Sequence, residues 1–182
     1  MPQNAHPKAA DLLQMHDALL DPSRTPGPVL DLACGDGRNG IHAARQGLGV
    51  ICCDRSRSAL RHARQVAKAQ GVRIRLWWTD LEAPERSPLP DSTFGAVLVF
   101  RYLHRPLIPE IRQTLRPGGF VFYETFTVEQ SKFGPPRNPD HLLKPGELAE
   151  WFRDWEVLHR FEGELAEPRR AMAQIVARKP SE

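Results

Sequence analysis

Cysteine and lysine are scarce in this chain, and long apolar runs are absent. Cysteine stands only at 34, 52 and 53. That spacing makes neither a disulfide framework nor a metal-ligand set, so no metal is expected. Small core cysteines suit a reducing cytoplasm, the compartment expected here. No run approaches the roughly 20 apolar residues of a membrane span, so no membrane partner is expected. Met1 to Pro7 lacks the apolar core of a signal peptide. Lysine occurs only at 8, 68, 132, 144 and 179, which leaves 20 of the 25 basic residues as arginine. The net charge of +3 comes without a dense basic tail and without aromatics interleaved among basic residues. Composition therefore gives nucleic acid no support as a partner. Arg55, Arg57, Arg61 and Arg64 read as a solvated helix face. There are no internal repeats or low-complexity tracts. The 182 residues suit one domain, with 26% charged and 41% hydrophobic content.

What is present is a strand, a glycine turn and a helix in succession. Val29 to Leu32 is a short apolar run that reads as a buried parallel strand. It breaks at Ala33-Cys34-Gly35-Asp36-Gly37-Arg38-Asn39-Gly40 and resumes as a helical pattern from Ile41 to Gln46, closed by Gly47. Such a unit brings backbone N–H groups and a helix start close to a ligand, with glycine where a Cβ would clash. The next apolar run, Val50 to Cys53, ends in Asp54. In doubly wound sheets a carboxylate there meets the ribose of a nucleoside, accepting from two hydroxyls. The unit is thus a nucleoside-cofactor site. Gly35, Gly37 and Gly40 satisfy G-x-G-x-x-G, so NAD is one reading. A pyrophosphate would favour a turn without a side-chain carboxylate facing it, and Asp36 lies inside the loop.

The rest of the chain alternates. Residues 8 to 21 read as an amphipathic helix starting near Pro7, either packed on the sheet or capping the cofactor cleft, and Pro22 to Pro28 as a linker. Ser56 is a good N-cap for a helix to Gln70 that ends at Gly71. A strand at 72–79, with arginines on one face, reads as an edge. Phe94 to Phe100 is a central strand, Pro106 to Leu115 a helix, and Arg116-Pro117-Gly118-Gly119 a turn into a strand at 120–126. The proline-rich stretch 127–145 has no period and reads as a substrate-side loop. A helix at 147–152 and two strands, 155–162 and 171–178, finish the chain as an antiparallel hairpin. The expected fold is α/β, a Rossmann-like three-layer sandwich on a mostly parallel seven-stranded sheet. Its parts are the N-terminal helix and linker (1–28), the cofactor core (29–126), the loop (127–145) and the last helix and hairpin (146–182).

Asp31-Leu32-Ala33-Cys34-Gly35-Asp36-Gly37, the acidic turn Asp80-Leu81-Glu82 after the third strand, and the Arg-Pro-Gly-Gly turn together resemble the class I S-adenosylmethionine-dependent methyltransferases. The resemblance runs from about Val29 to Thr125. In the first turn, Cys34 to Asn39 is similar to the tellurite-resistance and thiopurine-type small-molecule enzymes. It implies S-adenosylmethionine as cofactor, S-adenosylhomocysteine as product, and a small-molecule nucleophile centred on sulfur, selenium, tellurium or oxygen. Gly35 and Gly37 would lie against the methionine part, with Asp31 ordering that turn and its amino group. Asp54 would take the ribose, and Asp80 with Leu81 the adenine. Ala33, Arg38, Arg55, Phe100 and Arg101 are further expected cofactor contacts. Arg101, Tyr102, His104 and Arg105 after the fourth strand, and Tyr123 and Glu124 in the fifth, are expected on the acceptor side. There His104 serves as a base, with Arg101 and Tyr123 as catalytic partners. Lys132, Arg137 and His141 are candidates to close over an anion. The segment after the fourth strand, Phe100-Arg101-Tyr102-Leu103, departs from the Asn-Pro-Pro-Tyr of enzymes that methylate amino groups of adenine, cytosine and glutamine. The alternatives are an RNA or protein methyltransferase, a non-catalytic cofactor-binding module and, outside the family, an NAD-dependent oxidoreductase.

Overall fold

The computed structural model describes residues 8–181. The readings made on Met1 to Pro7, including Pro7 as a helix start, lie outside these residues. The seven strands are β1 (Val29–Leu32), β2 (Val50–Asp54), β3 (Arg75–Trp78), β4 (Phe94–Phe100), β5 (Leu115–Phe126), β6 (Glu156–Ala166) and β7 (Arg169–Arg178). They form one sheet in the order β3-β2-β1-β4-β5-β7-β6. β1 to β5 pair in parallel, and β7 runs antiparallel to both β5 and β6. This is the expected mostly parallel sheet with a C-terminal hairpin.

β1 and β4 are buried along their whole length, as the uninterrupted apolar runs require of strands covered on both faces. On one face Leu12 and Leu13 of α1 (Asp11–Met15), Ala43 of α2 (Arg38–Arg45) and Leu60 of α3 (Arg57–Ala69) pack over Val50, Leu98 and Phe122. On the other, Ile111 of α4 (Ile108–Thr114) and Leu148 of α5 (Glu147–Trp151) pack over Leu30, Val97 and Val121. Alternate residues of each strand thus serve two cores.

Three elements differ from the sequence reading. The N-terminal helix is shorter than 8–21 and breaks at His16 into a 3₁₀ turn at Asp17–Leu19. Asp17, which would continue it, instead meets Nε2 of His42 on α2 at 2.5 Å. Ala10 N–H donates to Asn39 Oδ1 at 2.8 Å, so this segment packs on α2 and the sheet. β3 is also shorter, because the N–H of Val72 closes the end of α3 on Ala67 C=O. The Arg116–Gly119 turn is absorbed into β5 as an irregularity opposite Phe94 and Ala96.

α3 begins at Ser56, whose Oγ accepts from Ala59 N–H at 3.2 Å, and is followed by left-handed Gly71. The 127–145 stretch holds 3₁₀ turns at Val128–Lys132 and Pro139–His141. Its two ends meet where Thr127 bridges Leu143 in parallel. Arg105 fastens it further, donating to the carbonyls of Asp140 and Leu142 at 3.0 and 2.9 Å and pairing with Glu147.

Candidate cofactor site at the ends of the parallel strands

β1, β2 and β4 all end at the same edge of the sheet, and each delivers a polar residue there. Asp31, near the end of β1, is 1% exposed. Its Oδ2 accepts from Gly40 N–H at 2.8 Å, and among the described residues it forms no ion pair. Burial, reinforced by Asp36 and Asp54, pushes its carboxyl up to about 8 despite that hydrogen bond. Asp54 closes β2 with both oxygens engaged by backbone, Oδ2 by Gly35 N–H at 2.8 Å and Oδ1 by Ser56 N–H at 2.7 Å. Each oxygen keeps a second lone pair for a ligand.

Two adjoining cavities open over these strand ends. The smaller, about 250 Å³, is lined by Asp31, Gly35, Asp36, Arg38, Phe100 and Arg101, among others. The larger, about 520 Å³, is lined by Asp54, Arg55, Asp80, Leu81, Arg101 and Tyr102, with Pro135, Pro136 and His141 of the proline-rich loop. Ala33 and Arg101 line both, so the two are halves of one cleft. Ala33 and Arg101 have positive φ, 49° and 57°, and the Arg101 N–H is held by Glu124 C=O at 2.8 Å.

The three glycines of the turn have separate jobs. A Cβ on Gly35 would meet nothing within 4 Å, so this residue leaves space for a ligand, and its φ of +56° also favours glycine. A Cβ on Gly37 would stand 2.7 Å from Ala63 Cβ on α3. On its Cβ side Gly37 is therefore a close contact between α2 and α3. Gly40 lets α2 approach β1 and β2, since a Cβ there would lie 2.8 Å from Cys52 Sγ.

The expected catalytic set does not converge. Arg101 lies in the cleft, but Tyr123 is 1% exposed and gives its hydroxyl to Tyr102 C=O at 3.1 Å within the core. Tyr123 points to the α4–α5 face because its parity on β5 is that of Val121. His104 lines a separate depression with Arg86 and Glu110, outside both cavities. Arg105 is committed to Glu147, and Glu124 accepts from Gln174 Nε2 at 2.6 Å. Lys132 pairs with Glu129, while His141 reaches the larger cavity.

Sequence reasoning missed Thr79, Pro135 and Pro136 as lining residues; Tyr102, read there as an acceptor-side or cofactor-side residue, lines the larger cavity. Tyr102 Oη is buried without a hydrogen-bond partner and burial pushes the phenol up. Arg170, at the start of β7, also went unnoticed. Its Nε is buried without a partner. Arg101 is lowered first by burial and then by the charges of Arg38 and Arg170, and Arg38 lines the smaller cavity with it.

The sheet order, the acids at the strand ends and the glycine turn define a nucleoside-binding class of Rossmann-like protein. The chain belongs to the family described as methyltransferase domain, matched over residues 29–119. It is similar to the probable S-adenosyl-L-methionine-dependent methyltransferase TehB of Haemophilus influenzae (strain 10810), at 25% identity over 87% of this chain and 57% of that protein. It is 26% identical to the tRNA 5-carboxymethoxyuridine methyltransferase of Escherichia coli (strain K12), over 71% of this chain and 60% of that one. The chain thus spans about three fifths of these relatives, and 49% of a further one named Hemagglutinin 1 from Eikenella corrodens. The crystal structure of TehB from Haemophilus influenzae shares the fold, with a TM-score of 0.71 at 22% identity over 93% of this chain and 61% of that one. Among the described residues no helix is long and apolar enough to cross a membrane.

Proposed function

We propose that this chain transfers a methyl group from S-adenosylmethionine to an acceptor that reaches the cleft already ionised. The residues fit the cofactor. Asp31 is a buried acid without a cation, suited to an ammonium once it gives up its proton, and Gly35 leaves an open cradle beside it. Asp54 offers free lone pairs to ribose hydroxyls, and Asp80 with Leu81 borders the larger cavity at the adenine end. When bound, the cofactor supplies a sulfonium-activated methyl group. The chain's own work is to orient the acceptor, exclude water and hold charge.

The observation that carries the reading is that Arg38 and Arg101 both line the smaller half of the cleft, neither of them ion-paired among the described residues. Unpaired guanidinium groups facing a cleft call for anions, here the carboxylate of the cofactor's methionine part and, beside it, an anionic acceptor. A base is not needed for an acceptor that is itself an anion, and His104 and Tyr123 stand away from the cleft. Carboxylates, thiolates and chalcogen oxyanions meet this requirement, free or carried on a larger molecule. The name of one relative fits the carried form, a methyltransferase of a carboxymethoxy-bearing tRNA base.

The test has two stages. Calorimetric titration with S-adenosylmethionine, S-adenosylhomocysteine and NAD should show the first two binding and NAD silent; NAD binding alone would sink the proposal. Transfer of labelled methyl to a panel of carboxylates, thiols and oxyanions, set against neutral amines and alcohols, should succeed only with the anions.

A further inference from the structure

Between Gly37 and Thr79 stand eight arginines, one lysine and a single acid, Asp54. This segment, less than a quarter of the chain, carries a net charge of +8, and the remainder of the chain −5. Arg86, Arg105, Arg112 and Arg169 elsewhere each meet a carboxylate. None of the nine cations in this segment does so among the described residues.

The geometry concentrates them. Arg57, Arg61, Arg64 and Lys68 recur at four, three and four residues along α3, so they form one stripe, and all four are exposed. Like charges at that spacing repel and weaken a helix, and a face that served solubility alone would alternate signs. The stripe borders a groove of about 410 Å³ between α3 and the start of β3, lined by Arg64, Lys68 and Arg73. From Arg57 to Lys68 it spans about 17 Å, the length of roughly five stacked nucleotides.

At the upper end of the stripe lies an aromatic ring. Trp78 closes the edge strand β3 and is 55% exposed, a large apolar surface facing water. Its Nε1–H donates to Arg55 C=O at 3.0 Å, and the Arg57 guanidinium lies 3.9 Å from the ring centre. Arg55 in turn lines the larger half of the cofactor cleft. A cationic stripe therefore leads through a stacking ring to the mouth of the site.

We propose that this stripe, with Trp78 at its head, is a track for a single-stranded stretch of RNA that leads its acceptor group to the cofactor cleft. The proposal rests on the methyltransferase reading. Arginine outnumbers lysine here, and forked guanidinium groups suit phosphate better than point charges do. An anchored, open indole is what an unpaired base stacks on, whereas a lipid surface would call for apolar residues along the stripe itself.

The test measures anisotropy of a short fluorescein-labelled unstructured RNA with the full chain, alongside calorimetric titration with S-adenosylmethionine. Three variants are compared, R61E/R64E/K68E, the milder R61Q/R64Q, and W78A. The charge reversal should weaken RNA binding by at least about tenfold and lower the slope of log affinity against log salt by about 2, at ~0.7 per lost phosphate contact. W78A should weaken it by about five- to tenfold with an unchanged slope, in keeping with a lost base stack. Cofactor affinity should hold in all three. RNA binding undiminished in both charge variants, or no RNA binding by a wild-type chain that binds the cofactor, overturns the track. So does wild-type binding to phosphatidylserine vesicles in preference to RNA. RNA binding without cofactor binding would instead overturn the methyltransferase reading.

Discussion

Asp31 and Gly40 are fitted to one another. The Gly40 N–H donates to Asp31 Oδ2 at 2.8 Å, and a Cβ on Gly40 would stand 2.9 Å from that same oxygen. The glycine is what lets a helix lie close enough to satisfy a buried acid. Gly40→Ala must therefore displace the carboxylate, Cys52 or the helix. We expect a loss of about 1–3 kcal/mol in urea unfolding, typical of overpacking and larger than the gain in helix propensity from alanine. Cofactor affinity should fall with it.

The acidity of Asp31 gives a pH signature. Its pKa in the folded chain, about 8, lies above the unfolded value near 3.9, so the native state binds the extra proton between them. Stability from this group is present in full below about pH 4 and is lost as pH rises through 8. Asp31→Asn should flatten that decline and leave the ligand-free chain more stable than wild type at pH 8.5 by a few kcal/mol, measured by urea titration across pH. The same variant should bind S-adenosylmethionine far more weakly. In the wild type, binding below pH 8 should release a proton, seen as a buffer-dependent calorimetric enthalpy.

Asp54 organises its own turn and, in the proposed reading, would also hold the ribose. Asp54→Ala strips an acceptor from the N–H groups of Gly35 and Ser56 as well as from the ribose. Cofactor affinity should drop by about 1.5–3 kcal/mol, the usual worth of hydrogen bonds to a charged group. Unchanged affinity by titration calorimetry would remove Asp54 from the site.

Tyr123 and His104 supply a negative control. Tyr123→Phe deletes one core hydrogen bond, to Tyr102 C=O, and should cost about 0.5–1.5 kcal/mol of stability. Neither Tyr123→Phe nor His104→Ala should change kcat more than about twofold. Arg101→Ala should lower kcat/KM by tenfold or more, since its side chain reaches both halves of the cleft. Steady-state kinetics on an anionic acceptor separate the two groups.

The strand-end acids were legible in sequence because they depend on local pattern. An apolar run that ends in a carboxylate locates Asp54, while Asp31 inside its strand and Asp80 in its turn are carried by short contiguous motifs that the family resemblance rests on. Tyr123 was not legible, since a shift of one residue along a strand turns a side chain to the opposite core. His104 and Arg105 depend on the path of a loop. Arg170 comes from a strand 69 residues after Arg101, and only the insertion of β7 beside β5 brings it near. The stripe on α3 was visible as arginines, but its lack of counter-charge is a property of what folds beside it.

The closed neck of the proline-rich loop has a consequence of its own. Thr127 and Leu143 bridge at its base, and Arg105 staples the returning arm, so the tip at 133–138 hangs from a joint that is complete without it. Pro135 and Pro136 on that tip roof the larger cavity, while Asp31 and Gly35 lie below on β1 and its turn. The tip is thus an exchangeable cassette. Lengthening or recomposing it should reshape the cover of the larger half of the cleft while Asp31 and Gly35, in the smaller half, keep their places.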